Sequence, residues 1–529
     1  MVLNTRERVL RICSGSQNLS KGVRSQRERI APAFHMTART KAKENLKRSK
    51  IVFFLSLTMG SVFVHGYHPW AEDAAIYLPG VEKLLNQKLF PFNAQFFESH
   101  ARLTLFPELI AASIRITQLR PTFAFFLWHL TSIFLLLYAC WELAAKCFHK
   151  ELSRYTCVLS VAALLTLPIA GTALYIMDQY LNPRNLAAFA CVLAVAKMVD
   201  KKYIATSLLL ILGLSMHPLM GAFASCFCFL LFHVDKYKIE LGFIAGLLPL
   251  GLLDPPGYAY HRVAVAHSYF YPLRWHWYEW CGVIGPILFL AWFGHLARLR
   301  RMDNLALVCR TLVIYQILFT IIALIISGPQ RLEMLVRLQP MRSLFLLYIL
   351  VILFSGGLLC ELALKDHWWR WIVLFLPLCA MMFYAQRALF PNSMHIEWPG
   401  VKQRNLWGQA FEWIQRNTPP DAVFALDPEY MNISGEDEIS FRALAQRSTL
   451  ADEGKDRGAV SMFPALADEW LRQVRAQRGW QSFQLQDFRR LQAEYGVGWV
   501  VLQQPALRDL RCPYQNQAVA VCTIPGTPP

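Results

Sequence analysis

Residues 305–326 read LALVCRTLVIYQILFTIIALII, with Arg310 as the only charge. In water such a run aggregates. In a bilayer a helix satisfies its own backbone polar groups and turns these side chains to lipid. Working outward, Ile51 to Val64, Phe123 to Tyr138 and Thr206 to Leu214 have the same character. The whole composition agrees: 55% of the residues are hydrophobic, 17% are charged, and the mean hydropathy is +0.31. The sequence therefore predicts an α-helical polytopic membrane protein.

About eleven spans of near-membrane length are expected, over roughly 51–66, 122–144, 155–177, 186–199, 203–216, 219–234, 239–253, 281–297, 305–326, 343–360 and 371–389. Merging the two short helices that meet at Met216-His217-Pro218 would reverse everything downstream. Charge tests the count. Alternate loops hold Lys146, Lys150 and Arg154, then Lys197, Lys201 and Lys202, then Lys236 and Lys238, then Arg298, Arg300 and Arg301, then Lys365 and Arg370. By the positive-inside rule these face the cytoplasm. The loops 67–121, 178–185, 254–280 and 327–342 then lie outside, with mixed charge and many aromatics.

An odd number of spans gives three parts: a basic cytoplasmic tail, 1–50; a helical bundle, 51–389; and a small extracytoplasmic α/β domain, 390–529. The net charge of +17 comes largely from that tail and the short loops, so nucleic-acid binding is not expected. The tail is too long and polar for a signal peptide, and Met36 is an alternative start. A multi-pass plasma membrane of bacterial inner-membrane type is the expected location.

The first outside loop, about 55 residues long, has structure of its own. Asp73 to Leu85 and Leu103 to Ile116 space their apolar residues helically, as helices lying on a membrane surface do. In the soluble region a helix is expected near Trp407 to Ile414 and a strand at Ala422 to Leu426. Helices follow over Phe463 to Arg475 and Phe483 to Tyr495, with strands at Trp499 to Leu502 and Ala518 to Ile524. Thirteen cysteines show no metal spacing, and His261 and His267 are not at metal-helix spacing, so no metal site is predicted. Cys512 and Cys522 lie in the polar C-terminal region and pair as a disulfide if that region meets an oxidising compartment.

The chemistry-bearing stretch is Trp70-Ala71-Glu72-Asp73-Ala74-Ala75-Ile76-Tyr77-Leu78-Pro79. Adjacent carboxylates at the mouth of a helix bundle accept a proton or bind a metal, and partial burial raises one pKa into a working range. The same two residues also suit the start of the following helix as caps. This acidic pair resembles the GT-C superfamily of membrane glycosyltransferases, which use polyprenyl-phosphate-linked sugars. So does the long loop with Tyr77, Leu89-Phe90-Pro91 and Leu105-Phe106-Pro107 that follows it, and so does the order of parts.

Carried over position by position, the resemblance makes Asp73, with Glu72 beside it, the acid that activates or orients the acceptor for inverting attack on the anomeric carbon. It makes Tyr175 to Asn185, with Asp178 and Arg184, the second acidic site. Asp178 and Arg184 read equally as an interfacial ion pair. A lipid phosphate needs cations, and Gln339-Pro340-Met341-Arg342, preceded by Arg331 and Arg337, offers Arg342 as phosphate ligand or as interfacial anchor. His217 and Tyr77 are further substrate-binding candidates, although His217 also reads as a plain turn. The aromatics between Tyr258 and Trp280 form an interfacial belt, some of whose rings suit sugar stacking.

A divalent metal is possible and none is required by these residues. Oligosaccharyltransferase catalytic subunits carry a Trp-Trp-Asp-Tyr-Gly motif, and nothing here matches it; Trp368-Trp369-Arg370 falls on the cytoplasmic side. Transfer of a whole oligosaccharide to asparagine is not expected. The acceptor and the sugar are not legible. Arg442, Arg447, Asp452, Glu453 and Asp456 read as a solvated loop. A transporter or lipid flippase would need charges in the middle of spans, and few are present. A non-catalytic assembly protein would show no cavity behind the first loop.

Overall fold

The computed structural model describes residues 49–237 and 256–526. The basic tail and the span expected at 239–253 lie outside the described residues. Internal contacts divide the chain into residues 1–57 and 58–529. The described part of the first is the opening of an apolar helix, Ser49–His65. The architecture below is that of the second.

Among the described residues, six helices are long and apolar enough to cross a membrane: Pro121–Cys147, Pro218–Lys236, Trp277–Leu299, Asp303–Ser327, the helical run Gln330–Leu364, and Trp368–Leu389. Tyr203–Met216 is a shorter apolar helix. Leu288, Phe289, Trp292, Val373, Leu376 and Tyr384 are exposed on these helices. So continuous an apolar surface is stable against lipid and not against water. The opposite faces interlock: Leu136, Leu143, Ala187, Val195, Leu312, Leu347 and Leu353 are fully buried.

Ion pairs tie the basic loops to one another. Lys146 meets Asp200 at 2.8 Å, Lys197 meets Glu142 at 3.1 Å, and Arg300 meets Glu361 at 3.1 Å.

One expected span is corrected. The apolar stretch at 155–177 is helical only over Glu151–Ala163. It then forms a two-stranded hairpin, β1 (Pro168–Ile169) against β2 (Leu174–Tyr175). Pro168 lacks the N–H that a continued helix needs. Gly171 sits in the turn at φ +65°, where a Cβ would lie 2.5 Å from the Trp275 ring.

The long loop 67–121 folds into Ala74–Leu85, Gln95–Ala101 and Phe106–Thr117. Ile76, Leu78 and Val81 turn inward, and the segment before Ala74 is pinned to the C-terminal region at two isolated bridges, Tyr67 with Ile396 and Ala71 with Ile439. Farther along, Asn93 and Gln473 hydrogen-bond reciprocally at 2.7 and 2.9 Å. The loop is thus bolted to the C-terminal region.

The C-terminal region holds a five-stranded sheet: β3 (Val423–Ala425), β4 (Ser448–Thr449), β5 (Trp499–Gln503), β6 (Arg511–Gln515) and β7 (Val519–Thr523), in the order β4-β3-β5-β7-β6. The β4-β3-β5 pairs are parallel and the β5-β7-β6 pairs antiparallel. Val500, Leu502, Ala520 and Cys522 pack with Phe488 and Leu491 of the helix Leu485–Tyr495. Cys512 and Cys522 are bonded across β6 and β7.

Candidate functional site

The turn that leads into Ala74–Leu85 delivers Glu72 and Asp73 to the wall of a cavity of about 790 Å³. Glu72 has a left-handed backbone, φ +47°, held by its N–H donating to the Glu438 carbonyl at 2.9 Å. A non-glycine residue kept there costs of order 1–3 kcal/mol, and such strain collects where a side chain must be aimed. Asp73 stands at the N-cap position of Ala74–Leu85, yet its side chain makes no capping hydrogen bond. Its carboxylate faces the cavity, so capping does not account for it.

Four elements distant in sequence close the remaining walls. The hairpin β1–β2 contributes Pro168 to Tyr175, and the adjoining loop Asp178 and Arg184. The segment His267 to Tyr269, with Tyr278 and Glu279, forms another side. Arg342 enters from the head of Leu344–Leu359, after Gln339 takes a left-handed conformation and Pro340–Ser343 make one tight turn. The soluble region adds Glu438, Lys455 and Arg457.

Within this cavity the charges sort into three groups. Lys455 Nζ lies 3.5 Å from Asp73 Oδ1, 3.9 Å from Glu72 Oε2 and 3.4 Å from Glu438 Oε2. Asp178 and Arg184 form a buried pair, one Arg184 Nη reaching both carboxylate oxygens at 2.7 Å, with only 2% and 3% of the side chains exposed. Arg342 stands apart. Among the described residues it makes no ion pair, its Nε is buried without a hydrogen-bond partner, and its guanidinium lies 5.6 Å from the centre of the Tyr269 ring.

Electrostatics separates the two adjacent acids. Burial pushes the Glu72 carboxyl up to about 7, against the pull of Lys455 and with repulsion from Glu438 and Asp73 added. Burial acts on Asp73 in the same sense, but the positive charges of Lys455, Arg184 and Arg342 outweigh it and hold this carboxyl below its ordinary range. Burial likewise raises Asp178, with Arg184 opposing. Burial opposes the charge of Lys455, yet Asp73, Glu72 and Glu438 together raise its ammonium above the usual lysine value. Near neutral pH, Asp73 is therefore an anion while Glu72 exchanges a proton.

Of the residues singled out in the sequence, Glu72, Asp73, Asp178, Arg184 and Arg342 converge on this cavity. Tyr77 and His217 are not on its wall. The Tyr77 ring packs edge-on against His100 and Phe106, and His217 turns the chain between Tyr203–Met216 and Pro218–Tyr237. Arg331 and Arg337 do not line it either.

Lys455, Glu438 and Arg457 were not anticipated. The stretch around them is no solvated loop: Arg442, Arg447, Asp452 and Asp456 are 4%, 4%, 7% and 2% exposed. Arg442 grips Asp456, Nη2 to Oδ2 at 2.7 Å. Asp452 and Asp456 each accept the other's backbone N–H at 3.0 Å. That frame presents Lys455 to the cavity at the start of the helix Lys455–Met462.

Among the described residues, no three His, Cys, Asp or Glu side chains are grouped to hold a metal ion. A divalent ion such as Mg²⁺ draws its oxygens in to about 2.0–2.1 Å. Here Glu72, Asp73 and Glu438 surround an ammonium at 3.4–3.9 Å. This donor set does not fit a metal while Lys455 occupies it.

No protein-family model matches the chain, and no curated protein matches it. Among solved structures the chain is similar to the Archaeoglobus fulgidus oligosaccharyltransferase in its apo form, with a TM-score of 0.43 and 10% identity over 86% of this chain and 69% of that one. It is also similar to the archaeal oligosaccharyltransferase AglB from Archaeoglobus fulgidus in complex with an inhibitory peptide and a dolichol-phosphate, with a TM-score of 0.38 and 10% identity over 86% and 70%.

Proposed function

We propose that the chain is a GT-C-like glycosyltransferase that moves a sugar from a polyprenyl-phosphate carrier to an acceptor on the outer side of the membrane. The observation that carries this reading is the shared cavity, where a proton-exchanging carboxyl and its charged neighbour share the wall with an arginine that makes no ion pair among the described residues. A pocket that merely stabilised the fold would pair Arg342 as it pairs Arg184.

An apolar groove adjoins the cavity. Tyr348 lines both the cavity and this groove, which has a volume of about 440 Å³ and lies between Trp277–Leu299 and Leu344–Leu359. Pro286, Phe289, Trp292, Val351 and Leu358 form the groove's walls. A carrier whose phosphate lies at Arg342 would lay its hydrocarbon chain there. The bonded pair Cys512–Cys522 supports an oxidising compartment for residues 390–529, and the proposed location is a plasma membrane with these residues outside.

In the reaction, the acceptor hydroxyl attacks the anomeric carbon as the bond from that carbon to the phosphate oxygen breaks. The acceptor proton passes to the Glu72 carboxylate, and the configuration inverts. Asp73 remains charged, accepts a hydrogen bond from a second donor group of the acceptor and so holds the attacking hydroxyl in line. Arg342 meets the negative charge that grows on the departing phosphate, a charge-assisted contact aimed where charge develops. Asp178, already matched by Arg184, fixes the wall. The cavity behind the first loop removes the observation on which a non-catalytic assembly role would rest.

Transfer of label from a panel of polyprenyl-phosphate-linked sugars by the purified, detergent-solubilised chain tests the reading. If the folded protein released no sugar from any of them, the reading would be lost. Arg342→Ala is expected to weaken donor binding by about 10- to 100-fold, the value of a hydrogen bond to a charged group. Unchanged donor KM would remove Arg342 from its role.

A pH prediction follows from Glu72. Below about 7 its carboxyl holds a proton and cannot accept another. The rate kcat/KM is therefore expected to rise through about pH 7 and level off above. Glu438 raises the Glu72 pKa, so Glu438→Gln is expected to move the ascending limb to lower pH. A limb that stays put, or moves upward, would detach it from Glu72.

A further inference from the structure

We infer that Lys455 is a built-in counter-cation, occupying among Glu72, Asp73 and Glu438 the place that a divalent ion would otherwise take. The inference uses the same cavity as the glycosyl-transfer reading but none of its chemistry.

Three carboxylates gathered on one cavity wall, their side chains 27%, 31% and 44% exposed for Glu72, Asp73 and Glu438, repel one another and are stabilised by a positive charge set among them. Two sources exist: a bound metal or a side chain. Lys455 is only 18% exposed, and its ammonium approaches all three acids. Its approach is not the accident of a long flexible stem on a free surface. The backbone on either side is fixed by the reciprocal Asp452–Asp456 hydrogen bonds and by the Arg442–Asp456 pair beneath. Glu438 is fixed too, because Ala71 bridges Ile439 and the Glu72 N–H binds the Glu438 carbonyl. Both partners of the ion cluster thus come from backbones locked in register. A lysine is a compact point charge with three donors, suited to a triad of separate oxygens.

The consequence is an exclusion. With the ammonium in place, a divalent ion meets a unit positive charge at contact distance, and the oxygens stand roughly 1–2 Å too far from the shared centre to ligate it. With the ammonium removed, three carboxylates lose their counter-charge, and their side chains, not grouped closely enough to hold a metal as they stand, are free to close on a cation. Lys455 therefore acts as a positioning residue that keeps Asp73 charged without metal.

The test is Mn²⁺ binding by the detergent-solubilised full chain, followed by electron paramagnetic resonance and by the thermal unfolding midpoint, with no sugar donor present. The wild-type chain is expected to show the same midpoint in Mn²⁺ and in EDTA. Lys455→Ala is expected to bind about one Mn²⁺, tighter than wild type by about two orders of magnitude or more, with a saturable rise in midpoint. Adding Glu438→Gln to that variant is expected to weaken the binding again. Lys455→Met, which keeps the stem, is the second variant should the alanine form fail to fold, and the wild-type arm needs no variant at all.

Stoichiometric Mn²⁺ on wild type that vanishes in Asp73→Asn would overturn the inference, and so would a Lys455 variant that ignores Mn²⁺. Because no transfer is measured, either reading of the cavity can fail without the other.

Discussion

Glu72→Gln is expected to lower kcat for sugar transfer by about 10²- to 10⁴-fold, the range for loss of a general base, with donor KM nearly unchanged. Asp73→Asn is expected to lower it by about 10²-fold, the scale for a misplaced reactant. The difference rests on their surroundings. A useful base has a pKa near the working pH, and burial brings the Glu72 carboxyl to about 7. Asp73, held below its usual range by Lys455, Arg184 and Arg342, is too weak a base to compete for the acceptor proton but is a dependable anion. The comparison is made on kcat at saturating donor, with KM as the control for folding and binding. If Asp73→Asn stops turnover while Glu72→Gln spares most of it, the roles are reversed. If neither variant moves kcat, the acidic pair has no part in the chemistry.

The local motif was readable because its parts are neighbours in sequence. Glu72-Asp73 follows an apolar run, Asp178 and Arg184 share one short loop, and Arg342 opens a span. Each could be placed at a membrane boundary from hydropathy alone, and helix ends near 121, 147, 303, 327 and 389 fall within a few residues of their expected positions. The hairpin at 168–175 was hidden for the same reason that the spans were visible. Its residues are apolar, and hydropathy does not separate a helix from a buried strand pair. Only Pro168 and Gly171 carried the signal.

Lys455 was hidden more deeply. It lies in a run of charges, Asp452 to Arg457, whose composition is that of a solvated loop, and its partners Glu72 and Asp73 are on another element entirely. What decides its role is burial, created when the long loop 67–121 docks on the C-terminal region. Composition carries no trace of that docking. Tyr77 shows the converse. Helical spacing puts it one turn beyond Asp73, but His100 and Phe106 claim its ring.

The largest loss of stability is expected from Asp456→Ala. Arg442 and Asp456 are 4% and 2% exposed, joined by two hydrogen bonds. Removing the carboxylate leaves a guanidinium that cannot shed its charge in a place with little water, and breaking such a pair costs about 3–5 kcal/mol. Asp452 sets the limit on this figure. It lies beside the pair and is 7% exposed, and burial first and the Asp456 charge second raise its own pKa. Once Asp456 is gone, that repulsion ends, Asp452 ionises more readily, and it becomes the nearest partner for Arg442. The single variant should therefore fall at the lower end of the range, and Asp452→Asn combined with Asp456→Ala at the upper end.

Replacing both Arg442 and Asp456 by leucine should recover much of the loss, because an apolar pair of similar volume needs no charge matched. Unfolding midpoints of the solubilised chain measure all four proteins, wild type included. A drop in Asp456→Ala no larger than that of an exposed substitution, or a leucine pair less stable than Asp456→Ala, would show that the ion pair does not hold this region. Even where the leucine pair restores the fold, it lacks the carboxylate that accepts the Asp452 N–H. Lys455 should then lose its fixed approach to Glu72 and Asp73, so that stability returns while the charge balance of the cavity does not.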